Sequence, residues 1–146
     1  MKKRRDSILI ACTNLILPIL ITLGLYVIIH GHLSPGGGFQ GGVLIAGALV
    51  TIYIGYGKNS ALTSSKAKIY KVVEDIGALG FIILAFIGLL VTGTFFTNTF
   101  ELGKAGELLS SGSIFLMNSA VGLKVFAGIS FLILVMIGLL KDKEDE

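Results

Sequence analysis

The chain has 146 residues, of which 53% are hydrophobic and 14% are charged, with a formal net charge of +3. A soluble domain of this length has too little interior to bury so much apolar surface, so the composition excludes an ordinary soluble protein and indicates an integral membrane protein. The isoelectric point of about 9.1 does not indicate nucleic-acid binding, because the basic residues stand at the ends of apolar segments without interleaved aromatic residues.

Four apolar segments follow one another along the chain, and each is a candidate transmembrane helix. The predicted spans are residues 8–29, 41–56, 76–96 and 118–140. Crossing the hydrocarbon core takes about 20 helical residues, and the first, third and fourth segments reach that length. The first is too long for a cleaved signal sequence and is predicted to be retained. The sequence thus predicts an all-α fold, with residues 1–146 forming a single membrane domain.

The second segment is short and directly follows a stretch rich in glycine and proline. As a helix it is about 24 Å long, so part of the preceding stretch must lie at membrane depth if the segment is to cross. Non-helical backbone is tolerated there only where protein or water covers it. We therefore predict a broken-helix loop between the first two spans, packed against a partner; the alternative is a short, tilted helix. We call this stretch the glycine string: Pro35, Gly36, Gly37, Gly38, Phe39, Gln40, Gly41 and Gly42.

The positive charges predict the orientation of the bundle. With four spans, ten basic residues fall on one side of the membrane: Lys2, Lys3, Arg4, Arg5, Lys58, Lys66, Lys68, Lys71, Lys141 and Lys143. The positive-inside rule then predicts that both termini are cytoplasmic. The glycine string and the connection at residues 97–117 are expected on the outer side, the latter against the bilayer or a neighbouring subunit.

Lys124 is the main candidate for a polar function inside a span. A lysine at mid-membrane costs about 2.5 to 3.5 kcal/mol on insertion scales. Ala120 and Gly128 stand one turn away on each side, and small residues let another helix approach closely. We expect Lys124 to face protein, paired with a carboxylate or a water chain. The alternative is that its side chain snorkels to the outer headgroups.

Four other ionisable residues near the span ends are candidates for an ion path. Glu74 and Asp75 stand at the cytoplasmic mouth of the third span, where they could collect protons or cations. The alternative is structural: acidic residues favour a helix start, and Lys71 can pair with Asp75 at i,i+4. His30 and His32 stand at the outer end of the first span. Two histidines without a third ligand do not make a metal site, so we predict no metal and expect them to fix the glycine string by hydrogen bonds.

The sequence contains no pattern for bond chemistry. It has no nucleotide-binding loop, no Ser/His/Asp arrangement and no cysteine pair, since Cys12 is its single cysteine. We therefore predict no cofactor and no catalytic activity of its own. Four spans with almost no intramembrane charge are also too few to build a complete ion pathway alone, which favours a subunit of a larger assembly.

Two stretches of the chain resemble a known family. Residues 32–42, His-Leu-Ser-Pro-Gly-Gly-Gly-Phe-Gln-Gly-Gly, resemble the hallmark of the B subunit of Mrp-type (Mnh) multisubunit sodium/proton antiporters, and residues 118–125 resemble that family's second recurring segment. The length and four-span layout match as well. The resemblance implies a small subunit of a prokaryotic cell-membrane complex that moves Na+ and H+. The proton channels are then expected in large antiporter-like partner subunits, with this chain shaping a path at an interface.

The resemblance leaves alternatives open. The B subunit is also similar to subunits of archaeal membrane-bound hydrogenase and of the related sulfur-reducing complex, so the same subunit could serve a redox-driven pump. A purely structural scaffold and a stand-alone homo-oligomeric channel are the other two alternatives. The stand-alone channel requires a membrane-crossing chain of ionisable groups that the sequence does not contain.

Overall fold

The computed structural model describes residues 7–33, 35–57, 67–100, 103–104 and 110–142. These residues contain no β-strand and form four helices: α1 (Ser7–Ile29), α2 (Gly38–Tyr56), α3 (Ala67–Thr92) and α4 (Ser113–Asp142). Each helix contains a stretch long and apolar enough to cross a membrane: Ser7–Ile29, Gly38–Tyr56, Lys68–Thr92 and Ser113–Ile137. The prediction of an all-α fold with four candidate spans is therefore confirmed. The basic residues at positions 2–5, 58 and 66 lie outside the described part, and the cytoplasmic placement of both termini stays a prediction.

The helices do not end where the apolar segments end. α2 begins at Gly38, inside the glycine string, and α3 begins at Ala67, among the lysines that precede its apolar part. Backbone hydrogen bonds continue a helix into polar surroundings, whereas hydropathy marks only the part that lipid can cover. α3 stops at Thr92 because Gly93 has a φ of 77° and donates its N–H to the carbonyl oxygen of Leu89 at 2.9 Å, a glycine-terminated helix end.

The helices lie side by side in the order α1, α2, α4, α3. α2 packs against both α1 and α4, α1 and α4 also touch each other, and α3 packs against α4; within the described residues, α3 makes no contact with α1 or α2. α2 is the most buried of the four. The core between the helices consists mainly of small residues, with Ala46 and Ala127 fully buried and Ala48 and Ala85 nearly so. Small side chains allow close packing in a membrane, where no hydrophobic effect drives helices together.

The pair α1–α2 is joined by side chains at the end remote from the glycine string. Thr13 donates its hydroxyl to the backbone carbonyl of Thr51 at 3.2 Å, and the Tyr56 hydroxyl donates to the Asn14 side-chain oxygen. The Thr13 side chain also fills the space beside Gly55, where a Cβ would meet it. These contacts fix the relative height of α1 and α2.

The connection after α3 folds back along that helix. The rings of Phe95 and Phe96 pack on Phe86 and Phe81, with centroid distances of 5.4 Å and 5.5 Å. Gly88 makes room for this return, because a Cβ there would lie 2.9 Å from the backbone nitrogen of Thr97. The part of the connection formed by residues 93–97 is therefore packed on α3.

Asn98, at the end of this return, holds the start of α4. Its Oδ1 accepts hydrogen bonds from the Ser113 backbone N–H at 2.8 Å and from the Ser113 hydroxyl at 2.9 Å. Its Nδ2 donates to the carbonyl oxygen of Ser111 at 3.1 Å. The first N–H groups of a helix have no partner within the helix, and here a residue from the preceding connection supplies one.

Candidate functional site: an intramembrane ion pair and a glycine-lined helix junction

Glu74 of α3 and Lys124 of α4 form an ion pair across the α3–α4 contact. The Lys124 Nζ lies 3.4 Å from the Glu74 Oε1. Lys124 stands near the middle of the apolar stretch Ser113–Ile137, and its side chain is 48% exposed, against 31% for Glu74. The sequence leaves two arrangements open for the Lys124 side chain, pairing with a carboxylate or extension to the headgroups. In the structure it is paired with Glu74. The charges are thus placed at membrane depth but are only partly covered by this chain.

Small residues on both helices bring the pair together. A Cβ at Gly77 would lie 2.8 Å from the backbone nitrogen of Lys124 and 3.0 Å from the carbonyl oxygen of Ala120, so α3 rests directly on the backbone of α4. One turn further along α4, the Glu74 carboxylate lies over Gly128, 3.3 Å from where a Cβ would stand. The small residues that flank Lys124 therefore admit both the neighbouring helix and the acidic partner.

The other acidic candidate, Asp75, is not part of this pair. Asp75 is exposed and stands on a different face of α3 from Glu74. In the part of the chain that the structure describes, no ion pair joins it to Lys71, the partner that the i,i+4 spacing suggests. Of the two adjacent carboxylates, Glu74 is the one that the fold brings to Lys124.

The second half of the glycine string is the first turn of α2, packed between two helices. A Cβ at Gly41 would lie 2.6 Å from the Gly24 carbonyl oxygen of α1. A Cβ at Gly42 would lie 2.7 Å from the Gly122 carbonyl oxygen of α4, and one at Gly38 would lie 2.8 Å from the Gly122 nitrogen. Adjacent glycines thus face different neighbours, and each contact is backbone against backbone. No larger residue fits at these positions without moving a helix.

The rest of the string connects α1 to α2. Residues 35–37 are not helical, and Gly37 takes the N-cap position of α2 in an extended conformation, without a side chain to cap the helix. Phe39 and Gln40 are exposed on the first turn of α2, Phe39 to 62%. The string is therefore part connection and part helix, and its exposed Phe39 does not pack into this chain.

Asn118 of α4 closes the junction between α1, α2 and α4. Its Oδ1 accepts the backbone N–H of Gly38 at 2.5 Å, and its Nδ2 donates to the carbonyl oxygen of Ile28 at 2.6 Å. It therefore supplies the cap that Gly37 lacks and also satisfies a carbonyl near the end of α1. Asn118 is not among the site residues predicted from the sequence; the signal that could have indicated it is its position at the start of the second recurring segment.

The two histidines occupy the end of α1 and the turn that follows it. His30 stacks on Tyr26, with ring centroids 4.1 Å apart, and its Nδ1 lies 3.1 Å from the Tyr26 carbonyl oxygen. His32 meets the edge of Phe115 of α4, with a centroid distance of 6.2 Å. Their rings thus pack around the junction. Among the described residues, no three or more His, Cys, Asp and Glu side chains form a group that could hold a metal ion.

These features define a class of protein. Four apolar helices, joined by glycine contacts and carrying a charge pair within two of the apolar stretches, make a multi-pass membrane protein. Residues 8–131 match the family model described as a domain related to the MnhB subunit of the Na+/H+ antiporter. The chain belongs to this MnhB family, and the resemblance stated from its sequence is confirmed.

Individual relatives agree with this assignment. The uncharacterized protein MJ1307 of Methanocaldococcus jannaschii is 38% identical over 118 residues, which are 77% of this chain and 45% of that protein. A Staphylococcus aureus protein with the provisional name antiporter subunit mnhB2 is 35% identical over 77 residues, 53% of this chain and 54% of its own. The chain thus spans about half the length of these two curated relatives.

A solved structure shares the fold. It is a chain in the structure of the membrane-bound sulfane sulfur reductase, an archaeal respiratory membrane complex. The match has a TM-score of 0.77 and 29% identity, and covers 93% of this chain and 60% of that one. The same helix arrangement therefore occurs in a protein of a respiratory complex as well as in the antiporter-subunit family.

Proposed function

We propose that this chain is a small, non-catalytic membrane subunit of a multisubunit sodium/proton antiporter or antiporter-like module, where it helps form the ion path at a subunit interface. The observation that carries the proposal is the Glu74–Lys124 pair, in which Lys124 stands near the middle of a span with about half of its side chain exposed. Lipid does not solvate charges at that depth. The exposed side of the pair must therefore meet protein or the water of a path, and both belong to an assembly larger than this chain.

Within that assembly, the proposed role of the pair is to respond to the transported ion. The Glu74 carboxylate can bind either H+ or Na+, and either one weakens its attraction to Lys124. The backbone of Lys124 is packed against α3, because a Cβ at Gly77 of α3 would lie 2.8 Å from the Lys124 nitrogen. A change in the pair is thus transmitted to the α3–α4 contact, although no covalent step takes place in this subunit.

The remaining parts of the proposal concern the setting. The chain is proposed to lie in the cell membrane of a prokaryote with both termini in the cytoplasm, as the distribution of lysine and arginine favours. Its partners are other membrane subunits, with Na+ and H+ as the transported ions. Asp75, His30 and His32 are kept as secondary candidates near the two ends of the path.

A second setting is favoured by one specific observation. The match to a chain of an archaeal respiratory complex covers nearly all of this chain at 29% identity. The same subunit type could therefore serve a redox-driven pump, such as a membrane-bound hydrogenase or sulfur-reducing complex. The chemistry of the chain would be unchanged, and only its partners would differ.

A gentle purification of the chain from its native membrane separates these settings. Co-purification with antiporter-like and small membrane subunits alone supports the antiporter, whereas additional subunits with metal centres support the redox complex. A chain recovered alone would contradict both. Sodium-dependent proton movement in vesicles containing the complex then tests the ion path: a Lys124→Met complex that assembles and transports normally would leave only a scaffold role.

A further inference from the structure

We infer that the face bearing the ion pair is the docking site for a transmembrane helix of another subunit, and that this helix presents an uncharged hydrogen-bond acceptor to Lys124. The α3–α4 face is defined by Glu74 of α3 and by Lys124, Gly128 and Leu132 of α4. The inference rests on the proposed function for the existence of a partner. It adds which side of the helix row the partner occupies and what chemistry it brings.

Apolar exposure does not distinguish the two outer edges of the row. α1 exposes Leu15 and Ile19, at 67% and 56%, and α3 exposes Leu79 and Ile83, at 57% and 56%. Either edge could lie against lipid or against another apolar helix. The docking site must therefore be identified from groups that lipid cannot cover, wherever on the bundle they lie.

Charge makes that distinction. α1 contains no charged residue between Ser7 and Ile29, so acyl chains can cover its outer surface without penalty. The α3–α4 face carries Lys124, near the middle of the apolar stretch Ser113–Ile137, and Glu74, in the first third of the apolar stretch Lys68–Thr92; their side chains are 48% and 31% exposed. Intramembrane charges face a protein interior or a water-filled cavity. This face is therefore the one that requires a cover, and the outer face of α1 does not.

The hydrogen-bonding capacity of Lys124 determines the chemistry of the cover. A lysine ammonium has three N–H donors, and among the described residues Glu74 is the one acceptor within reach, at 3.4 Å. The pair is electrically neutral as it stands. A partner carboxylate would leave a net negative charge in the membrane, whereas a hydroxyl, an amide oxygen or a carbonyl of unwound backbone satisfies Lys124 without one.

The α3–α4 face also allows a partner helix to approach α4 closely. Lys124, Gly128 and Leu132 follow one another at i,i+4 and share one face of α4. Gly128 presents no side chain beside the Glu74 carboxylate, and Leu132 is 60% exposed one turn further. A helix lying along this face can reach the charged pair with one polar group and cover Leu132 with apolar ones.

Photo-crosslinking in the intact complex tests this inference. A benzophenone amino acid is introduced in place of Leu132 or, as a matched control, of Leu15, which is exposed to a similar extent on α1. After irradiation of membranes and purification of the complex, we expect a shifted band that joins the Leu132 variant to an identified membrane subunit. For the variant at Leu15 we expect no such band, and we expect crosslinks to lipid instead.

The crosslinked peptide tests the chemistry. We expect it to come from a transmembrane segment with Ser, Thr, Asn, Gln or a glycine-interrupted backbone within one turn of the adduct, and without an unpaired carboxylate there. Lipid adducts alone at Leu132, protein adducts at Leu15, or a purely aliphatic or acidic peptide would overturn the inference. If the crosslink forms but Lys124→Met transports normally, the interface stands and the proposed ion-path role fails.

Discussion

The backbone N–H of Gly38 donates a hydrogen bond of 2.5 Å to the side chain of Asn118, although 80 positions separate the two residues. Gly38 lies in the glycine string and Asn118 opens the second recurring segment of the family. The same asparagine reaches the carbonyl oxygen of Ile28 at the end of α1. The two stretches that carry the family resemblance are therefore the two halves of one structural junction.

Removal of the Asn118 amide is expected to loosen this junction. Asn118→Ala leaves the Gly38 N–H and the Ile28 carbonyl without their partner, and each unsatisfied group costs about 1 to 3 kcal/mol. We expect a clear decrease in the thermal unfolding midpoint of the detergent-purified chain, followed by circular dichroism. The neighbouring Ser119→Ala is the control, because the Ser119 hydroxyl donates to the carbonyl oxygen of Phe115 in its own helix and, among the described residues, to no other helix. Equal midpoints for the two variants would contradict the junction.

The two glycines Gly42 and Gly47 of α2 are expected to respond oppositely to alanine. A Cβ at Gly42 would lie 2.7 Å from a carbonyl oxygen of α4, and overpacking of this kind costs about 1 to 3 kcal/mol. A Cβ at Gly47 would meet nothing within 4 Å, and alanine gains up to about 1 kcal/mol of helix propensity. The midpoint temperature of thermal unfolding should decrease for Gly42→Ala and should not decrease for Gly47→Ala. A decrease of similar size in the unfolding midpoints of both variants would mean that α2 does not pack on α4 through Gly42.

The ion pair is expected to behave as a coupled unit. Glu74→Gln leaves Lys124 without its counter-charge, and Lys124→Met leaves Glu74 without its own. Each single change should lower sodium-dependent proton movement about tenfold, which corresponds to ~1.4 kcal/mol. The double variant should lose less than the two single losses combined, because no unpaired charge remains. Strict additivity in assembled complexes would show that the two groups act independently.

Asn98 is expected to stabilise the start of α4. Asn98→Ala removes the acceptor of the Ser113 N–H and hydroxyl, and loss of a helix cap costs about 0.5 to 2 kcal/mol. Hydrogen exchange of the first turn of α4 should become faster, while exchange in α2 should stay unchanged. Thr99→Ala, one residue further along, serves as the control. Faster exchange in the control alone would contradict the capping role.

The four spans could be predicted because lipid imposes a simple requirement on sequence. A run of about 20 apolar residues is needed to cross the bilayer, and each helix contains such a stretch or, for α2, nearly so. The helix ends were less predictable. They depend on local features such as the positive φ of Gly93 and the cap that Asn118 gives to α2, and these act outside the apolar core.

The contacts between helices could be predicted only in part. Lys124 requires a partner at its depth, and Glu74 is an acidic residue near a span, but the sequence does not show which of the small residues of α3 lies against α4. The register of α3 on α4 follows from Gly77 resting on the backbone near Ala120. The role of Asn118 could not be predicted, because burying a neutral amide at the end of a span carries no penalty for an unpaired charge. Its partners are also backbone groups that are distant in the chain.

The order α1, α2, α4, α3 has a consequence for biosynthesis. α1 and α2 can associate as soon as both are made, but α3 contacts neither of them in the described part of the chain. It must therefore remain in the bilayer unaccompanied until α4 follows. Glu74 and Lys124 are 50 positions apart, so at about 5 to 20 residues per second the acidic side chain waits several seconds for its counter-charge. Until α4 arrives, Glu74 therefore lacks the counter-charge that Lys124 gives it in the folded bundle.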